Sequence, residues 1–361
     1  MSIASGIVKS VYQDIRNGVT APVRLAKEIR YTINGLQEGK IPPKWVAWTL
    51  ISTAGAAALV IALMFPIYWI ATMAFNPNAS LFSTDGAGII PTVIAIENFA
   101  WAIGNITVPQ TIVVNAPLIG ELFQFPVPAI GGEMVFNGKA IAGGEQSDFL
   151  GYFQNSLYVS FWTVTVAMSV VIPGAYAMSR RSFVGRKKML YLYILLTQIG
   201  GGLGIAVLIA LYAIFSGMGW YNNKLALSFY YAATTVPFNT WLLKTYMDGI
   251  PTSYEEAAIV DGAPSWRIVY EIIIPLSKAG LATVFIFIFL AGWMDYIVAA
   301  TLLEAENFTL PVGLFALIDE FGVPWGRFSA FALMFGMPIM LVYFFAQRYI
   351  EQGLSFGGMS G

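Results

Sequence analysis

The sequence predicts an all-α integral membrane protein with six transmembrane helices and a small β-rich extracytoplasmic insertion. Three observations carry that prediction. The 361-residue chain is 57% apolar and only 11% charged, with a mean hydropathy of +0.69. A soluble domain is about 25% charged, so an ordinary core cannot hide this much apolar surface. Six apolar runs reach the ~20 residues that a helix needs to cross the hydrocarbon layer. Finally, sixteen of the nineteen Lys and Arg residues fall on one side of the alternating connections.

Each element follows from local sequence. Residues 1–44 form a cytoplasmic N-terminal extension, with basic residues spaced among Ile3, Val8, Val11, Tyr12, Val23, Leu25, Ile29 and Ile33. That spacing suits amphipathic helices held at the inner membrane surface. No apolar stretch follows the first charges, which argues against a signal peptide. Residues 45–75 form the first span. Residues 76–151 form the longest outer segment, where Asp85, Glu97, Glu121, Glu133, Glu145 and Asp148 oppose only Lys139. Within it, 104–146 reads as an insertion. "VPQTIVVNAP" has the pattern of a strand, and "EMVFNGKAIAGG" that of a hairpin, because Asn137-Gly138 suits a type I′ turn.

The other runs, at 157–178, 189–215, 225–243, 281–303 and 328–346, fall within a core spanning 152–346. Runs this long exclude barrel strands, and Pro66, Pro173, Pro237 and Pro338 inside them predict kinks rather than ends. The excess of Lys and Arg places the N-terminus, "RRSFVGRKK", the connection 247–278 and the tail 347–361 in the cytoplasm. Lys139, Lys224 and Arg327 remain outside. A multi-pass protein of the inner cell membrane is expected, with both termini cytoplasmic.

Composition also excludes chemistries. There is no Cys and no His, which removes thiolate sites and the commonest general base and metal ligand. No metal site and no catalytic residue is predicted, and the chain is not expected to be an enzyme. A net charge of −1 gives no footprint for nucleic acid. "VFNGKA" places Gly138 before Lys139, but Glu133 and Ala140 stand where a phosphate-binding loop needs Gly and Ser or Thr. A channel or secondary carrier would carry intramembrane charges or a filter loop, and here Asp295 is the single acid within a run.

The connection 247–278 contains "YEEAAIVDGAPSW", with Glu255, Glu256 and Asp261 between long apolar runs. Ser253 and Glu256 have the spacing of a capping box. Ala257 and Ala258 favour helix, Gly262 permits a sharp turn, and Pro264 suits the start of a second helix. On that helix Trp266, Val269, Tyr270 and Ile273 recur at helical spacing and predict one apolar face that must be buried. Pro275 ends the unit. A helix–turn–helix at the inner membrane face results.

The segment Glu256-Ala257-Ala258, Gly262, then nine residues and Ile272-Ile273-Ile274-Pro275 resembles the "EAA" loop of ABC-importer permeases, with Ile274 where Leu is usual. "YFQNSLYVS", "AYAMSRRSFVGRKK", "GWMDYIVA" and "FFAQRYIEQGLSFGGMSG" are similar to stretches of the maltose-type carbohydrate permeases, so the likeness runs from about 45 to 361. The 104–146 insertion, the long N-terminus and Ala279, where many members have Pro, depart from the family pattern.

The resemblance implies a permease for a sugar, an oligosaccharide or an α-glucoside such as maltose. It implies a second homologous permease, two ATPase subunits that hold ATP and Mg, and an extracytoplasmic sugar-binding protein, all around a chain in contact with lipid that itself binds no cofactor. It assigns docking on the ATPase to the 254–275 loop, through Glu255, Glu256, Ala257, Ala258, Asp261, Gly262, Trp266, Ile272 and Pro275. It also assigns an ATPase contact to the tail at Gly353, Gly357 and Gly358, whose composition suits an extended thread.

For the translocation path, Gln198, Asn239, Trp293 and Asp295 are candidates. Polar groups within spans are costly and either line a pathway or bond a neighbouring helix. "IGGGLG" at 199–204 reads as close helix packing or a local break.

Overall fold

The computed structural model describes residues 42–76, 96–103, 111–116, 120–126, 134–136, 139–141, 147–200, 204–318 and 323–357. Most of the N-terminal extension therefore lies outside the described residues. The chain divides into two units, Met1–Trp69 and Ile70–Gly361.

The first unit holds most of helix α1, Pro43–Ala74, which runs unbroken through Pro66. The most apolar stretch of α1 is 0% buried. An apolar helix exposed all round has no place in water, and lipid is the solvent that fits it.

The second unit is built on three long helices, α3 (Phe149–Arg180), α6 (Lys224–Asp248) and α13 (Trp325–Gly357), with α10 (Lys278–Met294) packed among them. α3, α6 and α13 continue through Pro173, Pro237 and Pro338. The shorter helices are α2 (Glu97–Ile103), α4 (Arg186–Gly200), α5 (Ile205–Gly217), α7 (Ser253–Val260), α8 (Ser265–Ile268), α9 (Ile274–Leu276), α11 (Ile297–Leu302) and α12 (Leu310–Phe315). At Gly292 a Cβ would lie 3.1 Å from Ser160 Cα, so the missing side chain lets α10 approach α3. Around it, Phe153, Phe289, Trp293 and Phe335 form an aromatic core, stacked or edge-on with centroids 5.4–6.1 Å apart.

Two parts of the predicted fold class need correction. Among the described residues, three helices are long and apolar enough to cross a membrane, or four if the pair Ser265–Leu276 and Lys278–Met294, bent by 84°, counts as one. The run 189–215 is divided between α4 and α5, and the run 281–303 breaks at Asp295 between α10 and α11. Helix α6 is continuous but carries Ser, Thr, Tyr and Asn along its length.

The second correction concerns the insertion, which does not build a β-rich element. Its described strands make two separate two-stranded antiparallel ribbons, β1 (Thr111–Ala116) with β2 (Gly120–Pro126), and β3 (Met134–Phe136) with β4 (Lys139–Ile141). Among the described residues, no sheet joins the two ribbons. A lone two-stranded ribbon has too little face to bury a core. The two residues between β3 and β4, and so their turn type, lie outside the described residues.

Candidate functional site

The 247–278 connection folds as the short helices α7, α8 and α9, with a π-helical turn between the last two, across one end of the bundle. Helix α7 ends in a six-residue reverse: Gly262 N–H donates to Ile259 O at 3.0 Å and Ala263 N–H to Ala258 O at 2.9 Å. This pair of bonds is the Schellman arrangement, which requires a left-handed residue between the helix and the outgoing chain. Gly262 supplies it with φ +78°. Ala258 and Ala263, at either end of this reverse, both pack on the cluster that includes Ala167, Val171, Ala175, Leu243 and Met247.

The start of α7 differs from the predicted capping box. Thr252, not Ser253, occupies the N-cap and makes no side-chain cap bond. The Glu255 and Glu256 amides instead donate to Thr252 O, at 2.9 and 3.0 Å. The two acids then part company, because adjacent residues on a helix point about 100° apart. Glu256 is exposed, whereas Glu255 is buried. The Arg180 Nε–H donates to Glu255 Oε1 at 2.5 Å, Tyr176 O–H donates to Oε2 at 3.2 Å, and Arg180 Nη2 donates to Ile250 O at 2.8 Å.

The predicted apolar stripe of α8 is also corrected. A π-helical turn, Val269–Ile273, follows α8 directly, and its wider winding rotates the faces relative to a regular helix. Ile268 and Ile273 are the buried residues, with Ile272 packed beside them. Trp266 and Tyr270 are each 70% exposed. Ile259, Val260 (86% exposed), Glu256 and Asp261 are exposed as well, so the loop displays both large apolar side chains and acids. Pro275 lies in α9, and the chain turns 84° just beyond it.

The four residues predicted for the translocation path do not share one environment. Asp295 closes α10, and its Oδ1 accepts from Tyr231 O–H at 2.8 Å and from the amides of Val298 at 3.0 Å and Ala299 at 3.4 Å, capping α11. Trp293 is fully buried and donates to Phe335 O at 3.2 Å. Asn239 is buried within the bundle, bonded to Thr235 O at 2.9 Å, with its Oδ1 unpartnered. The backbone of Gln198 lies in α4, and its side chain is outside the described residues. Gly353 and Gly357 lie within α13, so the tail is helical to Gly357 rather than extended, and Gly358 is not described.

Arg180, Tyr176 and Asn222 were not singled out from sequence. Arg180 was legible only as one charge in "SRRSFVGRKK". Asn222 sits at φ 56° and joins the α5–α6 connection to the segment after α11. Its amide donates to Leu302 O at 2.8 Å, its Oδ1 accepts from Glu304 N–H at 3.0 Å, and its Nδ2 donates to Glu306 Oε1 at 2.9 Å. The Asn-Ser of "YFQNSLYVS" meets the same region: Asn155 Nδ2 donates to Phe308 O at 3.0 Å, and Ser156 Oγ accepts from Leu310 N–H at 2.7 Å.

Long apolar helices, with a structured helical loop displayed at one end of their bundle, define a multi-pass membrane protein. The chain belongs to the family of binding-protein-dependent transport system inner membrane components, whose model matches residues 174–356. It is 32% identical over 307 residues to the galactooligosaccharides transport system permease protein GanQ of Bacillus subtilis, covering 84% of this chain and 93% of that one. It is 29% identical over 329 residues to the maltose/maltodextrin transport system permease protein MalG of Photorhabdus laumondii, covering 89% and 99%. A solved bacterial ABC transporter involved in the import of the acidic polysaccharide alginate shares the fold, with a TM-score of 0.62 at 19% identity over 86% of this chain and 98% of that one.

Proposed function

We propose that the chain is one of two homologous permeases of an ATP-driven sugar importer, coupled through 254–275 to a separate ATPase. The observation that carries the coupling reading is the outward surface of α7 and α8. Tyr254, Ile259, Val260, Trp266 and Tyr270 stand exposed beside Glu256 and Asp261, on a loop that is itself pinned to the bundle. Large aromatic side chains ringed by charge are the composition of a protein interface. Glu256 leaves its carboxylate outward for a basic partner.

The names of the relatives support the substrate class, a sugar of the oligosaccharide or α-glucoside kind such as maltose or a maltodextrin. The reading includes two ATPase subunits holding ATP and Mg, an extracytoplasmic sugar-binding protein, and an orientation with both termini in the cytoplasm. For the translocation path it retains Gln198 and Asp295 and drops Asn239 and Trp293, whose side chains are closed in by the chain's own helices. The tail contacts the ATPase pair through Gly353 and Gly357, which lie within α13, and through Gly358 beyond the described residues.

The test is reconstitution of the permease pair with ATPase and binding protein, assayed for ATP hydrolysis across a sugar panel. Stimulation by a maltodextrin or a galactooligosaccharide is expected. Single cysteines replacing Thr252 and Ala263 in this Cys-free chain are expected to cross-link to the ATPase. Equal hydrolysis with every sugar, together with no cross-link from any cysteine across 252–266, rules the reading out.

A further inference from the structure

We propose that Arg180 is a positioning residue whose ion pair with Glu255 makes α7 an extension of α3, so that displacement of the loop is delivered to the α3 span instead of being absorbed by a hinge. The consequence for transport rests on the coupling reading above; the mechanical statement stands without it.

By covalent order α7 follows α6, joined through Gly249, Ile250, Pro251 and Thr252. By contact it is fastened to α3. Three consecutive residues at the end of α3 reach three successive elements. Ser179 Oγ donates to Asp248 Oδ1 at the end of α6, at 2.6 Å. Arg180 binds Glu255 of α7 and also Ile250 O of the connection. Arg181 Nη2 donates to Ser265 Oγ, the first residue of α8, at 3.3 Å.

The middle contact is the buried one, with both side chains only 10% exposed. It is also a two-point attachment, because Tyr176, one turn before Arg180 on α3, donates to the second carboxylate oxygen. Two donors on one helix face fix the orientation of the carboxylate as well as its distance. A buried ion pair adds little net stability over an apolar pair, but one partner without the other is strongly unfavourable. The pair therefore acts as a positional constraint. Only Arg has the planar, branched donor set that serves Glu255 and Ile250 O together.

The test uses spin labels on cysteines replacing Ser253, on α7 and outside the proposed docking surface, and Val170, on α3, both exposed, in the assembled permease–ATPase complex. One narrow distance distribution is expected, with the same mean in the nucleotide-free and the ATP–vanadate-trapped states. Arg180→Ala is expected to widen it about twofold or more, because a segment freed of its anchor samples more orientations. Arg180→Lys, which keeps the charge and one bond, is expected to widen it less. If Arg180→Ala does not assemble, Glu255→Gln keeps the side-chain shape and removes the charge, and it too is expected to widen the distribution.

A wild-type width in Arg180→Ala, or in Glu255→Gln where that variant is used, overturns the proposal. So does a wild-type mean that shifts between the nucleotide states. Failure of the Thr252→Cys cross-link with an unchanged distribution sinks the docking reading and leaves the anchor standing.

Discussion

At the scale of the residue, two positions show how backbone geometry and capping decide what a substitution costs. A Cβ on Gly262 would meet nothing within 4 Å, so its constraint is the φ of +78° alone. The left-handed conformation costs an L-residue about 1–2 kcal/mol. Gly262→Ala is therefore expected to raise amide exchange across α7 and α8 by a factor of about 5–30. Gly262→Asn, whose side chain tolerates that conformation, is expected to raise it less. Exchange in Gly262→Ala equal to wild type would show that the turn adopts another form. Asp295 presents a single oxygen to Tyr231 and to two amides at the start of α11. Asp295→Ala is expected to cost about 1–3 kcal/mol, from a lost cap and an orphaned buried hydroxyl. Asp295→Asn keeps the acceptor and is expected to retain most of that stability, read from thermal unfolding of the purified protein. Equal losses in the two variants would mean that charge, and not acceptance, is what the site needs.

At the scale of the element, the 247–278 connection divides into what local pattern specified and what it missed. The Ala-rich helix, the glycine turn and the proline start of α8 were all legible, because each is a short-range preference of the backbone. The capping box was not formed, since Thr252 stands one position earlier at the N-cap and tertiary contacts fix the entry of the chain. The stripe failed at the π turn, which periodicity at 3.6 residues does not contain. The α5–α6 connection offers a test of the same division. Asn222 combines a positive φ with a side chain that grips Glu304, Glu306 and Asn307. Asn222→Gly keeps the backbone and loses the grip, while Asn222→Ala loses both. Thermal unfolding is expected to place Asn222→Ala about 1 kcal/mol below Asn222→Gly, the cost of a non-glycine residue at positive φ. No difference between the two would assign the whole effect to the side chain.

At the scale of the whole molecule, hydropathy and charge make a statement about the membrane that labelling can check. With no native cysteine, single cysteines replacing Lys139 or Ser147 are expected to react with an impermeant thiol reagent only from outside the cell. A cysteine replacing Val184, which is fully exposed between α3 and α4, is expected to react only from the cytoplasmic side. The reverse pattern would invert the topology. Deletion of 104–146 is expected to impair sugar uptake more than membrane insertion, because the described strands it removes pair with one another and lie outside the apolar helices. Uptake unchanged by the deletion would show that the segment is dispensable.

By itself the sequence determined the solvent, the helical class and the place and character of the loop, because these follow from composition and from contacts within about eight residues. Only the tertiary structure decided which acid the loop buries. Glu255 and Glu256 are the same residue type at neighbouring positions, and nothing local tells them apart. Arg180 does, from 75 residues away, by meeting one of them at the end of α3. The break in the run 281–303 was settled in the same way, whereas the one between α4 and α5 falls at the "IGGGLG" stretch that the sequence already marked. A run of hydrophobic residues fixes that a segment prefers lipid, but whether it crosses as one helix depends on what receives its free amides. At Asp295 that role falls to a carboxylate held in place by Tyr231 of another helix.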